Sequence, residues 1–113
     1  MRVEGDAVHE RSSAAYQLAG VRERIRAGRY VITGRVRRYL RAKKWDDRYV
    51  RDCLLALDES DFHKSQQHVS RAEVWLDIYR PWVEDQRLYM KITVLESGDE
   101  LLILSFCVDS EAH

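Results

Sequence analysis

The chain has 113 residues, 45% apolar and 34% charged, with 19 basic and 19 acidic side chains. That size suits one domain with its own core, and the balance excludes a disordered or low-complexity chain. The longest apolar runs are far too short to span a membrane, and the N-terminus shows no export-type apolar region. Cys53 and Cys107 lie far apart in apolar patterns and form no C-x-x-C pair, so they read as reduced core thiols of a cytoplasmic protein. A zinc site would need more ligands at regular spacing, so no metal and no cofactor is expected.

Net charge is zero, but the zero hides a division. Val21 to Arg51 holds 12 basic and 3 acidic residues, whereas Asp52 to His113 holds 5 basic and 13 acidic. A basic first half suggests a surface for a polyanion or an acidic partner.

In chain order, residues 1–11 are polar and aperiodic and are expected to fray; residues 12–113 form the single domain. Ser12 or Ser13 can cap a first helix with Leu18, Val21 and Ile25 on its apolar stripe, stopped by Gly28. Its exposed side carries Arg22, Arg26 and Arg29. Tyr30-Val31-Ile32 is short and extended, or a loop. Thr33 caps a second helix with Val36, Tyr39 and Leu40 inward and Arg37, Arg38, Arg41 and Lys44 outward. Asp46 or Asp47 caps a third, whose Val50, Cys53, Leu54 and Leu57 follow the helical spacing i, i+3, i+4, i+7. Asp58 with Asp61 starts a short fourth helix carrying His63 and Lys64.

After Ser70 the period changes to that of strands. Val74, Leu76 and Ile78 alternate with Trp75, Asp77 and Tyr79 until Pro81 stops the ladder. Leu88, Met90, Ile92 and Val94 alternate with Arg87, Tyr89, Lys91 and Thr93, the pattern of a half-covered sheet. Ser97-Gly98-Asp99 makes a tight turn. Leu101 to Val108 is apolar on both faces and reads as a central strand. The expected fold is α+β, with N-terminal helices packed on a three-stranded antiparallel sheet.

Tyr89 and Lys91, two apart on one strand, share the face opposite Leu88, Met90 and Ile92. Arg80 ends the preceding strand and lies close if the two strands form a hairpin. With His63 and Lys64 at the border, this face suits a phosphodiester. Arg and Lys neutralise phosphate oxygens, and Tyr stacks on a base or donates a hydrogen bond. Amphipathic strand residues whose long stems merely cover the sheet would read the same way.

Three separated strings carry a more specific signal: Asp58-Glu59-Ser60-Asp61-Phe62-His63-Lys64-Ser65, Trp75-Leu76-Asp77-Ile78-Tyr79-Arg80-Pro81, and Leu88-Tyr89-Met90-Lys91-Ile92-Thr93-Val94. In this order and spacing they resemble the motility quorum-sensing regulator (MqsR) toxins, small mRNA-cleaving enzymes of type II bacterial toxin–antitoxin pairs. The resemblance runs from about Tyr16 to Phe106. It implies a RelE-like fold, sequence-selective cleavage of mRNA that blocks translation, and a cognate antitoxin that binds DNA and represses the operon. Membrane is not implied, and DNA enters only through the antitoxin complex. The catalytic lysine and tyrosine of the family correspond to Lys64 and Tyr89, and Arg80 and Lys91 also match. Two positions depart: Leu76 stands where the family often has glutamine, and Cys107 where it often has lysine. His63 stands where tyrosine is common.

The implied chemistry is attack of the ribose 2′-hydroxyl on the adjacent phosphorus, which leaves a cyclic phosphate and needs no metal. It calls for a base, cations for the phosphate and an acid. His63 has a reference pKa of about 6.5, whereas Lys64 and Tyr89 would have to fall far from about 10 to serve as bases. Hence His63 is the expected base, Lys64 and Arg80 hold phosphate charge, and Tyr89 orients the substrate or transfers a proton. Arg80, Lys91 and the outer helical face of Arg37, Arg38 and Arg41 are the expected RNA-binding residues. Leu76 and Cys107 leave open a non-catalytic module that holds RNA or an antitoxin through a decayed site.

Overall fold

A computed structural model describes residues 9–95 and 99–112. In chain order these form β1 (Glu10–Arg11), α1 (Leu18–Arg26), β2 (Tyr30–Ile32), α2 (Gly34–Lys43), α3 (Asp47–Leu55), a 3-10 turn (Glu59–Asp61), β3 (Phe62–Gln67), β4 (Trp75–Tyr79), β5 (Trp82–Val83), β6 (Gln86–Val94), β7 (Leu101–Val108) and a closing 3-10 turn (Asp109–Glu111). The fold is mixed helix and sheet, but the sheet has seven strands rather than three. Six run in the order β1-β3-β4-β6-β7-β2, and β5 pairs with β6. All pairs are antiparallel except β2 with β7, which is parallel.

The apolar patterns place the helices. Val21 and Ile25 of α1, Val36 and Leu40 of α2, and Val50 and Leu54 of α3, with Leu57 beyond it, are buried in one cluster with Tyr79, Leu88, Met90, Ile92, Leu101, Ile103 and Phe106 of the sheet. Burying each such aliphatic side chain contributes about 1.5–3 kcal/mol, which is why the spacing fixes the helix orientation. Trp45 and Tyr49 pack against Phe106, with the Trp45 and Phe106 rings 6.0 Å apart and perpendicular. Tyr39, expected inward, is only half-buried; its hydroxyl accepts from the Val108 amide at 3.0 Å and donates to Glu111.

The caps differ in part from expectation. Thr33 and Asp46 do cap α2 and α3, accepting from the Val36 and Tyr49 amides. Gly28 does follow the end of α1, at a φ of 74° that suits glycine. The N-cap of α1 is Gln17, however, with no side-chain bond, not Ser12 or Ser13. Its entry is held from the sheet: buried Asp77 accepts from the amides of Ala15 at 2.9 Å and Tyr16 at 3.0 Å.

The expected fourth helix is absent. Asp58 and Asp61 do form a capping box, but it closes only a 3-10 turn. His63 and Lys64 lie on β3, because Phe62 enters the sheet opposite Tyr79, its ring 5.5 Å away. β4 is buried on both faces from Leu76 to Tyr79, since β3 covers the edge that a three-stranded sheet would leave open. Glu10 and Arg11, in the stretch expected to fray, pair with Gln66 and Ser65. The Ser97-Gly98-Asp99 turn falls mostly on residues 96–98, outside the described residues.

Candidate active site

The strand register builds the site in rows. Cross-strand partners share a face of the sheet, and alternate residues along a strand repeat it about 7 Å further on. Lys64 pairs with Ile78, Ile78 with Lys91, and Lys91 with Ser105. These four form one row on the face away from the helices. Ile78 is fully buried between the two lysines, so their stems cover an apolar floor.

The next row lies two residues along. Ile78 opposite Lys91 and Trp82 opposite Arg87 share one register, which sets Arg80 opposite Tyr89. Tyr89 pairs with Cys107 on its other side. Arg80 is held by two bonds to Asp109, Nε to Oδ1 at 3.1 Å and Nη2 to Oδ2 at 2.8 Å. Its backbone amide donates to Asp61 at 2.8 Å, which ties the row to the turn before β3. His63 is the extra residue of a register shift between Phe62 and Lys64, and is therefore turned out to solvent.

Electrostatics distinguish the titrating groups. His63 is held below its ordinary pKa, first by loss of solvent, then by the charges of Arg80 and Lys64, with Asp109 and Glu10 acting in opposition. It is therefore neutral near pH 7 and free to accept a proton. Tyr89 moves upward, chiefly through burial, so it stays protonated and is a donor. Lys91 is pushed down by burial and by the charges of Arg35 and Lys64. Its ammonium lies 6.0 Å from the Tyr89 ring centre. Lys64 is paired with Glu10 of β1 at 2.6 Å, both side chains staying partly in solvent.

His63, Lys64, Arg80, Tyr89 and Lys91 are thus brought together. The α2 arginines are placed differently. Arg37 makes two bonds to Asp47 of α3, at 3.0 and 3.3 Å, and Arg38 and Arg41 are exposed along the helix. On α2 it is Arg35 whose charge acts on Lys91 and Cys107, and it lines a cleft with Tyr39, Tyr89, Ser105 and Cys107. The sequence held a signal for Arg35: it precedes the buried Val36, at the helix end nearest the sheet. Asp109 had one too, since two successive hairpins return the chain after β7 to the Arg80 end of β4. Leu76 lies on this face as well, one row past the lysines and opposite Gln66.

Residues 13–107 match a family model described as motility quorum-sensing regulator, toxin of MqsA. Over 53 residues the chain is 42% identical to the mRNA interferase toxin MqsR of Escherichia coli strain K12. The match covers 47% of this chain, and the chain spans about half (51%) of the length of that relative.

Proposed function

Because this chain belongs to the motility quorum-sensing regulator family of toxins, we propose that it cleaves single-stranded mRNA as the toxin of a type II toxin–antitoxin pair, with residues 12–113 acting as one interferase domain. The observation that carries the proposal is the convergence of Lys64, Arg80, Tyr89 and Lys91, from two strands and the end of a third, on a single sheet face with His63 at its rim.

In this reading the scissile phosphate sits over the Arg80–Tyr89 row. Neutral His63 takes the proton of the ribose 2′-hydroxyl, whose oxygen bonds to phosphorus as the bond to the 5′-oxygen breaks. Tyr89, protonated at neutral pH, donates to the departing oxygen. Lys64, Arg80 and Lys91 offset the charge that develops on the phosphate. The product ends in a 2′,3′-cyclic phosphate, and the requirement for a 2′-hydroxyl excludes DNA. Helices on one face and the site on the other suit a RelE-like fold. The partner is a cognate DNA-binding antitoxin, and mRNA as substrate places the protein in the cytoplasm.

A second reading has observations of its own. Leu76 and Cys107 both lie on the site face, and each replaces a polar or charged group of the family pattern with a side chain that neither carries charge nor bonds strongly. A module that binds RNA without cutting it would have such a face. Incubation with mixed-sequence RNA in excess EDTA decides between them. Cleavage to fragments ending in cyclic phosphate is expected, reduced at least about 100-fold in Lys64→Ala and Tyr89→Phe. Intact RNA with folded wild-type protein overturns the enzyme reading.

A further inference from the structure

One large aromatic side chain near the site lies outside the core. Trp82 is 64% exposed. A tryptophan left in water forgoes much of the stabilisation that its burial gives, so its setting is informative. Trp82 begins the two-stranded hairpin β5–β6, whose turn at Glu84-Asp85 holds Glu84 at a φ of 56°. It pairs with Arg87, which places both on the face of Arg80 and Tyr89, one row beyond them.

The ring is also held in place. The Arg87 guanidinium lies 5.5 Å from its centre, within cation–π range. Arg87 Nε donates to the Arg80 carbonyl at 3.0 Å, and the Leu88 amide donates to the Pro81 carbonyl at 2.9 Å. Trp82 is thus an exposed flat ring on a braced hairpin, about 7 Å along the sheet from the residue that binds phosphate in the proposed mechanism.

We propose that Trp82, backed by Arg87, is a stacking platform for the base of the nucleotide next to the scissile phosphate. The inference rests on the reading of this face as an RNA site. Single-stranded RNA is held by two features, cations along the backbone and aromatic faces under the bases. The rows of Arg80, Tyr89 and Lys91 supply the first, and Trp82 supplies the second. Stacking accepts any base but favours purines, so Trp82 also biases which sequence lies across the site. A protein partner gripping Trp82 is the competing use of the same ring, but the cations Arg80 and Arg87 beside it favour a polyanion.

The test measures binding apart from cleavage. A fluorescein-labelled, mixed-sequence 2′-O-methyl oligoribonucleotide has no free 2′-hydroxyl and is not cut. Its anisotropy titration is compared for wild type, Trp82→Ala, Trp82→Phe and Arg87→Ala across a salt series. Trp82→Ala is expected to bind at least about fivefold more weakly with an unchanged salt slope, since stacking releases no counterions. Trp82→Phe is expected to keep most of the affinity, and Arg87→Ala to flatten the slope. On cleavable RNA, Trp82→Ala should redistribute the cut sites. Equal affinity and an equal cut pattern for Trp82→Ala overturn the platform and leave protein docking as the use of the ring. Binding that depends on Trp82 without any cleavage upholds the platform and overturns only the nuclease reading. Absence of wild-type binding overturns both.

Discussion

His63 is the side chain whose protonation the proposed chemistry depends on most directly. Its folded pKa lies below the ordinary 6.5, first through partial loss of solvent and then because Arg80 and Lys64 repel its proton. The sign for activity follows. A base must be unprotonated, so the cleavage rate rises with pH through a pKa below 6.5 and levels off above it. Lys64→Ala removes one repelling charge and should move that rising limb to higher pH, in addition to lowering the plateau. His63→Ala should abolish the limb. A pH–rate profile under single-turnover conditions reads both effects. A limb that survives in His63→Ala assigns the base to another group.

At the scale of elements, Asp77 shows how a strand residue can organise a loop. α1 lacks a side-chain N-cap, and the segment before it is anchored by the Asp77 carboxylate through two backbone amides. Asp77 is fully buried, so Asp77→Ala leaves two amides without an acceptor and a void beneath them. The expected cost is about 2–4 kcal/mol, read as a lower urea midpoint with little change in slope. A loss under about 0.5 kcal/mol means that water replaces the carboxylate. Nothing in the local pattern announces this role, because Asp77 sits in an alternating strand like any outward polar residue. The same limit explains the other differences. The stripe of Val50, Cys53, Leu54 and Leu57 was legible because burial of a helix is written in its own period. The sheet's extent was not, since two- and three-residue strands such as Glu10–Arg11 and Tyr30–Ile32 carry too few residues to show one. Asp58 with Asp61 reads as a helix start until Phe62 finds Tyr79, a partner seventeen residues away. At the site, Tyr89 and Lys91 were readable from alternation alone. Arg35 and Asp109 carried only the indirect signals of helix position and hairpin order, because their neighbours there come from distant parts of the chain.

The charge of the whole molecule is arranged otherwise than its order along the chain implies. The basic first half suggested an RNA surface on the outer arginines of α2, yet Arg37 is engaged with Asp47. The second half is acidic and holds only five basic residues. Four of them, Lys64, Arg80, Arg87 and Lys91, share the site face by register, and the fifth, Arg71, lines a groove beside Leu76. Part of the surplus acid fixes these cations, as Asp109 does for Arg80. From the basic half, Arg35 adds a charge beside Cys107. This arrangement predicts where phosphates are bound. For single-stranded RNA the logarithm of affinity falls with the logarithm of salt by about 0.7 for each phosphate neutralised. Arg35→Ala should reduce that slope by about one such increment. Arg37→Ala should change it little, because Arg37 is bound to Asp47 of α3 and lies off the sheet face that carries the other cations. The reverse result, a slope altered by Arg37→Ala and untouched by Arg35→Ala, would carry the RNA away from the sheet and along the outer face of α2. The measurement therefore separates a binding path written in the linear charge pattern from one that exists only after the strands have paired.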